Sequence, residues 1–134
     1  MKTFVLLLAL VPMVSFAADK ATREYVKSDF NPAVTAAQDA FNKACGCKLA
    51  IKANGSVKTQ DDYRLAKYIA ESVKDGAAGY CTDAESKKAV CQMKTLELGK
   101  ANEATFTFKG GKGVATHDGQ ANSNWDMMTK ELDK

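Results

Sequence analysis

Four cysteines restrict the fold of this chain more than any other feature. Two of them stand one residue apart in Cys45-Gly46-Cys47, where a helical pattern gives way to a strand pattern. The other two, Cys81 and Cys91, bracket a segment with the pattern of a short helix. If residues 83–91 are helical, a rise of about 1.5 Å per residue separates Cys81 from Cys91 by about 15 Å. A disulfide needs Cα atoms within about 7 Å, so these two cysteines cannot pair with each other.

The remaining pairings are crossed, with Cys45 joined to Cys81 or Cys91 and Cys47 joined to the other. A Cys45–Cys47 bond would close a very small, strained ring and would be easily reduced, which is the property of a redox site. Against that interpretation, the motif follows a predicted helix end, where backbone carbonyls disfavour a thiolate. The spacing also departs from the ligand patterns of zinc sites. We therefore predict two structural disulfides and no metal or cofactor.

The first 17 residues predict export from the cytoplasm. Met1-Lys2 gives a positive start, an apolar run follows over residues 3–14, and Ser15-Phe16-Ala17 puts small residues where an export peptidase cuts. The run is shorter than the roughly 20 residues that cross a bilayer, so we expect a cleaved signal peptide, residues 1–17, and no stable membrane insertion afterwards. The predicted location is periplasmic or secreted, where disulfides persist.

Cleavage would leave 117 of the 134 residues and change the formal net charge from +3 to +2. That length corresponds to one domain. Both signs of charge are interspersed along the chain, and no cluster of basic residues predicts a nucleic-acid partner.

Hydrophobic periodicity predicts the order of elements. Residues 18–30 are polar and are expected to form a loosely tied N-terminal arm, followed by a single domain over residues 31–134. The predicted order in that domain is helix, strand, two helices, three-stranded meander and helix. Thr59 with Asp62, Thr82 with Glu85 and Ser123 with Asp126 are spaced as capping boxes. The approximate limits are 31–46, 47–53, 59–76, 82–93, 95–117 and 123–132, with residues 76–79 as a flexible link.

This order predicts an α+β fold. The meander would form a small antiparallel sheet, and the strand over residues 47–53 could join it as a fourth strand at one edge. About four helices would cover one face of the sheet, and two disulfides would hold the helices to it.

His117, the only histidine, is the one candidate for catalysis. With Asp118 beside it, a base oriented by a carboxylate is conceivable, which would suit a small hydrolase. Adjacent residues of a strand point to opposite faces, however, and the chain lacks a nucleophile motif such as G-x-S-x-G. We therefore interpret His117 as an exposed residue at a strand end, and we predict no catalytic residue. Gly110-Gly111-Lys112-Gly113 does not match a phosphate-binding loop and predicts a turn.

Three side chains are candidates for a contact surface because they lie off the predicted core stripes: Tyr63, Tyr68 and Met127. The resulting hypothesis is a non-enzymatic, exported protein-binding or inhibitory module whose partner is another exported protein. The alternative is a thiol–disulfide exchange protein that uses Cys45 and Cys47. Asn54-Gly55-Ser56 is also a glycosylation acceptor sequence, which matters only in a eukaryotic host.

Overall fold

A computed structural model of the protein describes residues 20–121 and 123–134. The predicted signal peptide, residues 1–17, lies outside the described residues. The α+β class and the two disulfides are confirmed. The helices are α1 Lys20–Tyr25, a π-helical segment Val26–Phe30, α2 Asn31–Cys45, α3 Gln60–Tyr80, α4 Ala84–Cys91 and α5 Trp125–Leu132. The strands are β1 Ala50–Ala53, β2 Thr95–Lys100, β3 Thr105–Lys109 and β4 Lys112–His117.

The segment predicted as a loose arm is helical from Lys20 onward and belongs to the packed structure. Phe30 is 3% exposed, and its ring meets Tyr63 edge-on at 5.0 Å between centroids. Asn31 does not cap a new helix, because the chain enters α2 already helical. The π-helical turn precedes Pro32 by one residue. Proline has no backbone N–H to donate, and its ring would clash with the carbonyl of the preceding turn; the wider π-helical turn accommodates the missing hydrogen bond and the bulk of the ring.

The sheet is mixed rather than an antiparallel meander. Its strand order is β1-β2-β4-β3, in which β1, β2 and β4 run parallel and only β3 pairs antiparallel, with β4. The strand over residues 50–53 does lie at one edge, as the sequence suggested. The predicted β2–β3 hairpin is wrong, because β4 lies between those two strands.

Two features place β4 in the centre of the sheet. The turn at Gly110-Gly111, with φ of 59° and 81°, forms a tight hairpin that pairs β4 with β3. The residues of β4 are mostly small and buried, and Gly113 leaves room for the Met93 sulfur and the Phe106 ring, which a Cβ would meet at 2.5 and 2.8 Å. In β3, Thr107 and Lys109 are exposed, which suits an edge strand.

Helix α3 continues through the predicted link at residues 76–79 and ends at Tyr80. Its capping box is confirmed, since Thr59 accepts a hydrogen bond from the Asp62 N–H and Asp62 accepts one from the Thr59 N–H. Gly76 lies inside this helix, and the Trp125 ring of α5 occupies the space that a Cβ at this position would need.

The other two capping boxes are not formed as predicted. Helix α4 begins one residue later than expected, with Asp83 accepting from the Ser86 N–H. Helix α5 has no side-chain cap, because Asn124 instead donates to the carbonyls of Thr105 and Thr116, both at 2.9 Å. Asn124 thereby ties the start of α5 to the β3–β4 pair.

The helices cover one face of the sheet, where the apolar core lies. Ile51, Leu96, Phe106 and Ala115 point into it from the four strands. The helical residues of the core are at most 6% exposed: Val34, Ala37, Phe41, Cys45, Leu65, Ala66, Ile69, Ala70, Val73, Ala77, Val90, Met128 and Leu132.

The two glycines of α3 give a matched test of the Trp125 contact. Gly76→Ala places its Cβ 2.4 Å from the Trp125 ring and should lower the free energy of unfolding by about 1–3 kcal/mol through overpacking. Gly79→Ala has nothing within 4 Å of its Cβ and should raise it by about 0.5–1 kcal/mol through helix propensity. Urea denaturation of both variants measures the difference. Equal effects of the two substitutions would show that Trp125 does not pack on Gly76.

Candidate binding site

The Cys45-Gly46-Cys47 corner is held at both cysteines. Cys45 bonds to Cys81 at the end of α3, and Cys47 bonds to Cys91, the last residue of α4. This is one of the two crossed pairings that the sequence leaves open. Gly46 adopts φ of 70°, and its N–H donates to the Asn42 carbonyl at 2.8 Å, which ends α2.

The pairing bears on the exchange hypothesis. A redox pair at Cys45 and Cys47 requires those two sulfurs to be bonded to each other or free, and each is bonded to a different helix instead. All four cysteines of the chain are in disulfides. The geometry of the corner is that of a structural staple.

His117 is fully buried, so the prediction of an exposed histidine is wrong. Its strand is central, and helix α3 begins directly beside it. Nδ1 accepts from the Gly119 N–H at 3.1 Å, and Nε2 therefore carries the proton that it donates to the Asp62 carbonyl, also at 3.1 Å. Both ring nitrogens are occupied by backbone groups, which leaves His117 no lone pair for proton abstraction.

Asp62 is the buried carboxylate of this region, with a side chain 7% exposed. Burial would raise its pKa, but the N–H groups of Thr59 and Lys58 donate to Oδ2, and the Lys100 ammonium lies 3.2 Å from Oδ1. Together these donors outweigh burial and hold the pKa of Asp62 below its ordinary value of 3.8. The carboxylate fixes the start of α3 against the end of β2.

The three predicted contact residues do not form one surface. Tyr68 is 49% exposed and Met127 36% exposed, as expected for contact residues, but they lie on different helices. Tyr63 is half-buried against Phe30, and Tyr63 and Tyr68 line two different clefts. Of the three, only Tyr63 lies beside the outer edge of β1, where the described residues add no further strand to the sheet.

Helix α2 covers part of the outer edge of β1 with amide side chains. Asn42 donates to the Leu49 carbonyl at 3.0 Å and accepts from the Leu49 N–H at 2.7 Å, as a neighbouring strand would. Gln38 accepts from the Ile51 N–H at 2.8 Å. By the alternation of a strand, the next groups on this edge are the Ile51 carbonyl and the Ala53 N–H, for which the described residues supply no partner.

A cleft of about 280 Å³ opens beside this uncovered edge. Its floor is apolar and aromatic, formed by Phe30, Val34, Ile51 and Tyr63. Its remaining lining residues are Val26, Asn31, Thr35, Lys52 and Ala53. We call this space, together with the edge groups of Ile51 and Ala53, the β1-edge cleft.

Most of the β1-edge cleft was not predicted from the sequence, which indicated only Tyr63. A usable signal was nevertheless present. Gln38 and Asn42 follow Val34 at intervals of four residues, next to the buried stripe of Ala37, Phe41 and Cys45. Two amides in that position predict a polar partner along the helix, and the adjacent strand edge is such a partner.

No protein family, no curated protein and no solved structure matches the chain. Within residues 20–121 and 123–134, no group of three or more His, Cys, Asp or Glu side chains is arranged to hold a metal ion. No helix in the same residues is long and apolar enough to cross a membrane.

The two disulfides should differ in how easily they are reduced. Cys47 and Cys91 are half-buried, whereas Cys45 and Cys81 are 2% and 8% exposed. Limited reduction, alkylation and peptide mass mapping should therefore find Cys47–Cys91 opened first. Removing either disulfide should lower the free energy of unfolding by about 2–4 kcal/mol. Reduction of Cys45–Cys81 before the other bond would contradict the structure.

Asp62 should make stability depend on pH. A native pKa below 3.8 stabilises the fold above that pH, and the stabilisation is lost as pH falls through the native pKa. Asp62→Asn should lower the free energy of unfolding by about 1–2 kcal/mol at pH 7, and the difference from the wild type should shrink below about pH 3.8. Asp61→Asn, in the same helical turn but 66% exposed, should have little effect at either pH. A pH-independent loss in Asp62→Asn would contradict the role of its charge.

Proposed function

We propose that the mature protein is a non-enzymatic, exported binding module that holds an extended segment of another exported protein in the β1-edge cleft. One observation carries the proposal: Asn42 and Gln38 cover the edge of β1 only as far as the Ile51 N–H, the described residues supply no partner for the Ile51 carbonyl and the Ala53 N–H that follow, and the cleft opens there. The two disulfides and the predicted signal peptide support an oxidising location, periplasmic or secreted.

The Ile51 carbonyl and the Ala53 N–H suit one residue of a parallel partner strand. Its N–H would donate to the Ile51 carbonyl, and its carbonyl would accept from the Ala53 N–H. Main-chain bonds of this type supply affinity without regard to sequence when a peptide adds a strand to a sheet edge. The short uncovered stretch also limits unspecific pairing, because an open edge invites aggregation.

Specificity would come from the cleft. Its apolar floor suits a hydrophobic side chain of the partner, and Asn31 and Thr35 can bond to polar groups beside it. The cleft lies between α2 and β1, and the disulfides of Cys45 and Cys47 fix the corner that joins those two elements. A preformed site loses little conformational entropy on binding. If the bound segment belongs to an enzyme, the module would act as an inhibitor.

Two neighbouring substitutions test the site. Thr35→Arg would fill the mouth of the cleft, whereas Ala36→Arg adds the same side chain at an exposed position that does not line it. Random linear peptides selected on the wild-type protein should bind Ala36→Arg equally and lose at least about tenfold in affinity for Thr35→Arg, or about 1.4 kcal/mol. Peptides that bind both variants alike would refute the β1-edge cleft as the site.

Hydrogen exchange gives a second measurement on the same complexes. In the free protein the Ala53 amide should exchange faster than the Asn54 amide, which donates to the Leu98 carbonyl at 2.9 Å. A bound peptide should slow Ala53 specifically. Peptide binding with no change at Ala53 would exclude strand addition, even if the cleft itself is occupied.

A further inference from the structure

The sheet face opposite the core is not covered by any helix in the described part of the chain. The register places the side chains of this face in rows across the strands. Lys52, Thr107, Lys109 and Lys112 are exposed on it, and Val114 is half-buried near its centre. We call this surface the open face; its remaining members are Ala50, Thr95, Glu97, Gly99, Thr105 and Thr116.

The open face has an excess of positive charge. Its charged strand residues are three lysines and one glutamate, a net +2. Glu97 is already paired, since its carboxylate lies 3.5 Å from the Lys112 ammonium and Lys52 stands directly opposite it on β1. Lys109 and Lys112 are cross-strand neighbours at the hairpin, so their like charges repel each other. That repulsion would be relieved by an anion bound from outside.

We infer that the open face docks an acidic protein surface, whose Asp and Glu side chains meet Lys52, Lys109 and Lys112. This inference concerns the other face of the sheet, which shares only Lys52 with the β1-edge cleft, and it does not require the cleft to be occupied. Val114 lies in the middle row of the face, between Thr107 on β3 and Glu97 on β2. The three lysines lie toward the margins of the face, where they would meet the acidic side chains of the partner, whereas Glu97 weakens the attraction at the centre.

Other occupants fit less well. A second copy of the chain would present the same net positive charge and would be repelled. Sheets that bind single-stranded nucleic acid stack bases on aromatic side chains, and the members of the open face include none. Surface helices and sheets that bind membranes use large apolar anchors, which this face also lacks.

The size of the face sets the strength of the contact. Four strands of four to six residues, about 4.8 Å apart, cover roughly 300 Å², well below the roughly 800 Å² per partner of a stable complex. The contact should therefore be weak by itself and sensitive to salt, because exposed charges are screened within about 10 Å at 0.1 M ionic strength. It would guide a partner toward the protein and orient it.

Poly-L-glutamate serves as the probe, in an NMR titration of the mature protein at low salt. Amide shifts should concentrate at Lys52, Thr107, Lys112 and Val114. Lys109→Gln/Lys112→Gln should weaken binding about fivefold. Lys87→Gln/Lys88→Gln removes the same charge from the exposed surface of α4 and should change binding by less than about twofold. Glu97→Gln should strengthen it, because the face becomes more positive.

Three outcomes would overturn the inference: equal weakening by the two double variants, no gain with Glu97→Gln, or tighter binding at this face of duplex DNA or anionic lipid vesicles than of poly-L-glutamate. Thermal unfolding of each variant confirms that it is folded. Amide shifts at Thr107 and Val114 report on the open face, and hydrogen exchange at Ala53 reports on the β1-edge cleft, so failure at one surface and failure at the other are separable.

Discussion

The corner between α2 and β1 fixes the rest of the structure. The contacts of this corner lie within the eight residues from Asn42 to Leu49. The Asn42 carbonyl accepts the hydrogen bond that ends α2, and the Asn42 amide bonds to the backbone of Leu49 beside β1. Cys45 and Cys47 form disulfides with the ends of α3 and α4. Four elements are thus joined within one short stretch. Gly46 is needed there because its φ of 70° lies in the left-handed region that other residues rarely adopt.

The sequence predicted this corner and missed the order of the strands, for a physical reason. Crossed disulfides follow from one local fact, the length of the helix between Cys81 and Cys91. The choice between the two crossed pairings depends on where α3 ends. That helix continues past Gly76, which packs against the Trp125 ring of a helix distant in sequence. Strand order likewise depends on Gly113, whose missing side chain makes room for Met93 and Phe106. Local patterns do not contain such contacts.

The candidate site was harder to predict than the fold. Tyr68 and Met127 are exposed as expected, yet only Tyr63 lies in the β1-edge cleft. The cleft could not be predicted because Phe30, which packs against Tyr63, belongs to a segment whose polar composition suggested a loose arm. His117 shows the same limitation. Its neighbours in sequence are polar, but the strand that carries it is central, and Asp62 from α3 and Gly119 take up both ring nitrogens.

Strand β1 connects the two proposed surfaces. Ile51 faces the core beside the cleft, whereas Lys52 faces the open side of the sheet. A segment that pairs with β1 would become a fifth strand, and its alternate side chains would point to the same two sides. Apolar residues at one set of positions would fill the cleft, and acidic residues at the other would approach Lys52. A partner segment with that alternation would therefore fill the cleft and contact Lys52 at the margin of the open face, and the contact with Lys52 would favour it over segments that are apolar throughout.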